Sequence, residues 1–197
     1  MTRKPFRLAA AAVSALAITT LGLGAPAALA DVTGVDLSAM PRGTDGCSIP
    51  TWAIPLRALA HGFAKLTTGT GLAPTRAAAA ARLLAAARAE PFMIAGTGRT
   101  CTELIEAFDG RIYVKIGAEG VYVASLPEQG LAVALKCADG AARAAEVAVA
   151  TLVAHLTGRV DDPALAPFLS QTLRDWNGAE VGAVRAAEGW GAAIAGA

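Results

Sequence analysis

Apolar positions repeat first with a helical period and then with a strand period. Leu56, Leu59, Ala60, Phe63 and Leu66 recur three and four apart, which puts them on one helix face, and Pro55 suits the first turn. Residues 69–73 break the pattern. Pro74 opens a second, Ala-rich helix expected to run to about Glu90, where Pro91 ends it. A shorter helix is expected over residues 101–108, with Thr100 as its N-cap. The period then changes to two. Ile112, Val114 and Ile116 alternate with Arg111, Tyr113 and Lys115, a Gly-rich turn follows over 117–120, and a second strand spans 121–125. After a turn at 127–130, Leu131, Val133 and Leu135 alternate with Ala132, Ala134 and Lys136. Three strands joined by short turns predict an antiparallel meander. Asp139-Gly140 closes it, and a helix follows to about Leu156 with Val149, Leu152, Val153 and Leu156 facing inward. Beyond Gly158 the pattern weakens: a short helix within 161–173 interrupted at Pro167, a turn at Trp176-Asn177-Gly178, a closing strand over 181–184 and a frayed Gly/Ala-rich tail over 189–197. The expected class is α+β, an antiparallel sheet meander with packed helices. No internal repeat is visible.

The first 30 residues read as an export leader. Arg3, Lys4 and Arg7 form a basic start, residues 8–23 an apolar core too short for a comfortable membrane span, and Ala28-Leu29-Ala30 a small-residue cleavage pattern. Cleavage after Ala30 would make Asp31 the first residue and leave 14 basic against 16 acidic side chains, a formal charge of −2. The expectation is therefore a secreted chain with no membrane segment once the leader is removed. The alternative is a cytoplasmic protein whose leader is spurious, arising from a gene-model or frame error. The intact chain has 197 residues and a formal charge of +1, which argues against nucleic acid as a partner. Aromatic residues make up only 5%, so the core must be built mainly from small and aliphatic side chains. Cys47, Cys101 and Cys137 are an odd number. They allow at most one internal disulfide, and they sit more easily with an intracellular ancestry.

Lys115 is the strongest single candidate for chemistry. It lies late on a strand, opposite Ile112, Val114 and Ile116, and Gly117 two positions on leaves room for a ligand. Lys-x-Gly on a strand resembles the third motif of serine β-lactamases and penicillin-binding proteins, although Ile116 stands where those have Thr or Ser. The plain alternative is an exposed strand lysine. Asp45-Gly46-Cys47 is a second candidate: a carboxylate and a thiol two apart on a turn can face one pocket, and a thiolate can ligate metal or attack. Its alternative is an Asp-Gly turn before a buried cysteine. Arg57, His61 and Lys65 form a basic helix stripe that reads as a solvated face, and neither His61 nor His155 has an evident partner. Ser-x-x-Lys, Gly-x-Ser-x-Gly, His-Glu-x-x-His and the P-loop are all absent from the sequence.

Taken in order, several segments resemble the rhizobial-type L-asparaginases. They are residues 45–51 (Asp-Gly-Cys-Ser-Ile-Pro-Thr), 55–60 (Pro-Leu-Arg-Ala-Leu-Ala), Pro91-Phe92-Met93 with Ala95-Gly96, and 115–121 (Lys-Ile-Gly-Ala-Glu-Gly-Val). Ala134-Leu135-Lys136-Cys137 with Asp139-Gly140, and Trp176-Asn177-Gly178 with Glu180-Val181-Gly182, complete the set. The resemblance covers about residues 31–185 and matches the C-terminal half of that family. It implies a serine-β-lactamase-like fold, here partial, and hydrolysis of L-asparagine to L-aspartate and ammonia. It also implies a nucleophile on Ser-x-x-Lys and a zinc ion held by a Cys-x-x-Lys pair and the cysteine of Asp-Gly-Cys. On this resemblance Lys115 and Asp45 are catalytic, Gly117 and Glu119 bind substrate, and Cys47 is the zinc ligand, while Cys101 matches a family cysteine of uncertain role.

The nucleophile and two of the three zinc ligands belong to the half not seen in this chain. Three regions are expected: a leader over 1–30, a half-domain over 31–188 and the tail beyond. The expected function is that of an asparaginase-family amidohydrolase, truncated and inactive alone, with zinc as an incomplete site. The alternatives are an exported non-enzymatic remnant or binding module and a product of a misread frame. The partner is a small molecule, L-asparagine, and a homo-oligomer is left open, as is the choice between asparagine and glutamine. Lys115, Asp45 and Cys47 are expected to converge on one half-cleft open to solvent.

Overall fold

The computed structural model of the chain describes residues 25–46 and 48–195. Its centre is the expected meander. Strands β3 (Tyr113–Ile116), β4 (Val121–Leu126) and β5 (Leu131–Lys136) pair antiparallel in chain order. All six residues of β4 are buried. Successive side chains of a strand point to opposite faces, so both faces of the sheet are covered at its middle strand. Helix α2 (Leu56–Thr68) lies against β4 and β5, and α6 (Ala142–Leu156) also packs on β4. Phe63 of α2 stacks on Tyr113 with ring centroids 6.4 Å apart. Leu59, Phe63, Leu104, Ile105, Val123, Val149 and Val153 belong to one continuous core. The architecture is α+β, with the sheet as the middle layer.

The layers explain one departure from expectation. Lys115 does lie on the face opposite Val114 and Ile116. That face is also Tyr113's, however, and α2 covers it through Phe63. Lys115 is consequently half-buried and does not border a bare sheet surface.

The helical boundaries follow the punctuation residues closely. Helix α3 (Pro74–Ala89) gives way to a short α4 (Pro91–Ala95), so Pro91 begins a helix as well as ending one. Helix α5 (Thr100–Ala107) is capped at Arg99 by backbone geometry, without a side-chain hydrogen bond. Thr100 is therefore its first residue and not its cap.

Larger differences lie at the two ends. Residues 25–33 form a helix, α1 (Ala25–Thr33), which packs on α2. The Ala28-Leu29-Ala30 pattern thus falls inside regular structure, and residues 1–24 of the leader expected over 1–30 lie outside the described residues. The stretch expected to be merely turn-rich carries a small hairpin, β1 (Arg42–Thr44) with β2 (Pro50–Trp52). Near the C-terminus α7 spans only Ala166–Leu169, and Pro167 sits in its first turn instead of breaking it. Ser170–Arg174 is then a strand, β6, paired with β7 (Glu180–Arg185) around the Trp176-Asn177-Gly178 turn. The closing strand belongs to this separate ribbon and does not join the main sheet. Within the tail, α8 (Trp190–Ala195) packs on α6, with Gly191 set so close against the His155 ring that a side chain there would displace it.

Candidate functional site

The lysine-bearing strand ends in a tightly defined turn. Gly117 N–H donates to the Val121 carbonyl at 2.7 Å, and Val121 N–H donates to Ala118 at 3.3 Å. The turn requires left-handed backbone at Glu119 (φ 59°) and Gly120 (φ 74°). Its neighbour is the turn that ends β5. Cys137 N–H donates to the Gly120 carbonyl at 2.9 Å, and Gly140 N–H returns to Cys137 at 3.1 Å. The Asp139 carboxylate accepts from Ala141 N–H at 2.9 Å and so holds the second turn closed. A side-chain carbon at Gly120 would lie 3.1 Å from both Cys137 Cβ and the Gly140 backbone. One at Gly140 would lie 3.2 Å from Glu119 Oε2. The Lys115–Val121 and Lys136–Gly140 segments, far apart in sequence, therefore make one structure at one end of the sheet. Burial, and next the nearby Asp139 charge, push the Cys137 thiol up, which keeps it a neutral packing group.

Ile116 is clasped from two directions. Its N–H donates to Cys101 Sγ at 3.2 Å, and its carbonyl accepts from Lys115 Nζ at 2.9 Å. In the antiparallel register Lys115 faces Val123 and Ile116 faces Tyr122. The Gly117–Val121 bond fixes the alternation, so the Ile116 groups point away from β4 along the outer edge of β3. Cys101, on α5, covers that edge. It also shares a hydrogen bond with the Tyr122 hydroxyl at 2.9 Å, and both side chains are almost wholly buried. Burial chiefly, and then Cys101 itself, push the Tyr122 phenol far up. The phenol therefore stays protonated at any ordinary pH. Cys101, whose role the sequence left uncertain, is thus the thiol that ties α5 to the lysine strand.

Asp45 occupies a different element, the tip of the β1–β2 hairpin. Its N–H donates to Ile49 O at 3.1 Å, and its carbonyl accepts from Ser48 N–H at 3.0 Å, with Ser48 left-handed at φ 65°. The hairpin forms its own two-stranded sheet, anchored where Trp52 packs against the core. Cys47 lies outside the described residues. The fold thus brings Lys115, Gly117 and Glu119 onto one strand end and its turn, and carries Asp45 on a separate hairpin.

The strand end and its turn offer the Lys115 ammonium, the Glu119 carboxylate and a glycine-lined backbone. Those are groups that bind and orient a polar ligand. They are not a nucleophile. As to zinc, no group of three His, Cys, Asp or Glu side chains that could hold a metal occurs among the described residues. Cys101 is committed to Tyr122 and Ile116. The described residues do not fit a zinc site by themselves. No helix among them is long and apolar enough to cross a membrane.

A layered α+β domain that presents a lysine at a strand end beside a glycine-framed turn is the class of protein these features define. The chain belongs to the L-asparaginase II family, whose family model matches residues 24–186. That span takes in all of α1 and every candidate residue described above. No curated protein matches the chain.

Proposed function

We propose that this chain is the substrate-cleft part of an exported L-asparaginase-type amidohydrolase, silent toward L-asparagine until a nucleophile-bearing segment is supplied to it. The observation that carries this reading is the family match over residues 24–186, together with Lys115, Gly117 and Glu119 on one strand end. In the proposed roles, the Lys115 ammonium meets a substrate carboxylate or the oxygen on which charge develops. Gly117 leaves room for the ligand's backbone, and the Glu119 carboxylate accepts from the substrate ammonium. Asp45 adds a carboxylate from the hairpin tip. Cys47, two positions on in the sequence, is the chain's contribution to a zinc ion whose remaining ligands come from elsewhere.

A second reading is a binding module without hydrolysis. It is favoured by the engagement of Lys115 Nζ with the Ile116 carbonyl and by the absence of Ser-x-x-Lys from the sequence. Saturation-transfer NMR tests the substrate class for both readings. L-asparagine is expected to show contact that L-alanine does not, and to lose it on Lys115→Ala. Equal signals from the two amino acids, or no change in the variant, would remove the substrate assignment.

A further inference from the structure

We propose that leader processing of this chain falls at the Gly24–Ala25 bond, so that the mature domain begins with α1, and not at the Ala30–Asp31 bond. The sequence offers two patterns of small residues at alternate positions after the apolar stretch, Gly22-Leu23-Gly24 and Ala28-Leu29-Ala30. Leader peptidases read such patterns, and the second is the cleavage point expected from the sequence.

The structure does distinguish them, because the second pattern is part of the folded domain. Leu29 and Val32 of α1 pack against the core. Thr33 is buried, and its hydroxyl donates to the Leu29 carbonyl at 2.7 Å. Gly34 N–H donates to the Ala30 carbonyl at 2.8 Å. Gly62 on α2 allows the close approach, since a side-chain carbon there would lie 3.1 Å from Val32 Cγ1. Asp31 is tied to two further helices. Its carbonyl accepts from Lys65 Nζ at 2.6 Å, and its carboxylate pairs with Arg76 of α3.

Processing precedes folding, so the fold does not shield either bond. It decides which product is a complete domain. Hydrolysis after Ala30 would leave Asp31–Thr33, less than one helical turn, and would remove Leu29 together with the acceptor of Thr33. It would also place a new ammonium on Asp31, next to the cations of Lys65 and Arg76. Hydrolysis after Gly24 leaves α1 whole, with Pro26 in its first turn, where a missing N–H costs nothing. The family match begins at residue 24 and so includes α1 in the domain independently of the packing argument. In the reaction a leader peptidase adds water across the Gly24–Ala25 amide. Gly24 leaves as the carboxylate end of the leader, and Ala25 keeps the nitrogen as the new ammonium.

The test is expression of the full chain in an export-competent bacterium, followed by intact mass and N-terminal sequencing of the exported product. The expected first residue is Ala25. A product starting at Asp31, or a chain that retains its leader, would overturn the proposal. Two variants sharpen it, because a bulky residue just before the scissile bond blocks cleavage. Gly24→Leu should remove the product that starts at Ala25, whereas Ala30→Leu should leave the N-terminus at Ala25. The reverse pattern would equally overturn it. The N-terminus is read by mass even if a variant folds poorly, and the outcome is independent of any asparaginase activity.

Discussion

Cys101 Sγ and the Tyr122 hydroxyl lie 2.9 Å apart in the interior, and the same sulfur receives the Ile116 N–H at 3.2 Å. One small side chain on α5 thereby fixes both the central strand and the edge strand that carries Lys115. Removing it takes one partner from the buried Tyr122 hydroxyl and from the part-buried Ile116 N–H. Cys101→Ala should cost about 1–3 kcal/mol. Tyr122→Phe, which removes only one hydroxyl, should cost about 1 kcal/mol. Urea denaturation of both variants and of the double variant checks this. Strictly additive losses would show that the thiol and phenol do not act as one unit.

The contact between the two turns sets the second expectation. Gly120→Ala meets both a left-handed backbone and atoms 3.1 Å away, whereas Gly178→Ala, at φ 83°, meets open space. Backbone strain alone is worth about 1–2 kcal/mol at each position. The Gly120 variant should therefore lose distinctly more stability than the Gly178 variant. Equal losses would mean that the turns at 117–120 and 137–140 do not bear on one another.

Acid sensitivity should run through Arg159 and Asp162. Arg159 Nε donates to the Asp162 carboxylate at 2.9 Å while its guanidinium lies over the Phe108 ring at 4.2 Å. The hydrogen bonds from Arg159, and next that from Ala164 N–H, hold the Asp162 carboxyl below the usual carboxylate range. The unfolded chain therefore takes up this proton more readily than the folded one. The pair contributes fully above the unfolded value of about 3.9 and loses its contribution as pH falls through the lower folded value. Below about pH 4, the wild-type protein should lose stability more steeply than Asp162→Asn. Parallel curves for the two proteins would contradict this.

Zinc uptake by the purified chain should be well below one ion per molecule, because Cys47 alone of the ligand set that the family resemblance implies is present in the sequence. Metal analysis before and after Cys47→Ala decides it. A full equivalent of zinc that disappears in the variant would show that this chain completes the site from its own residues.

Much of the layout was legible because periodicity is strong where elements are long. The meander, α2, α3 and α6 follow directly from spacing and from Pro and Gly punctuation. Two stretches were harder to read, because competing signals shared the same residues. The Ala-rich stretch before Asp31 reads as a cleavage region, yet Leu29 and Val32 supply an apolar face to α2. Pro167 looks like a helix break, which hid the short alternation of Gln171 and Leu173 in β6. The candidate site could be named from a motif, but its structural setting could not. Cys101 and Tyr122 are 21 positions apart, and a hydrogen bond to the Ile116 main chain leaves no trace in residue identities. Asp45 and Lys115 are placed by separate sheets, a relation that no spacing rule reports.

Ammonia release from L-asparagine by the purified mature chain tests the account most directly. In the proposed reading the Lys115 strand end supplies only orienting groups, Ser-x-x-Lys is absent from the sequence, and such groups have nothing to assist without a nucleophile. The expected result is release no faster than in buffer, unchanged by Lys115→Ala. Turnover that disappears in the Lys115→Ala variant would contradict the account, since it would require a nucleophile within the mature chain.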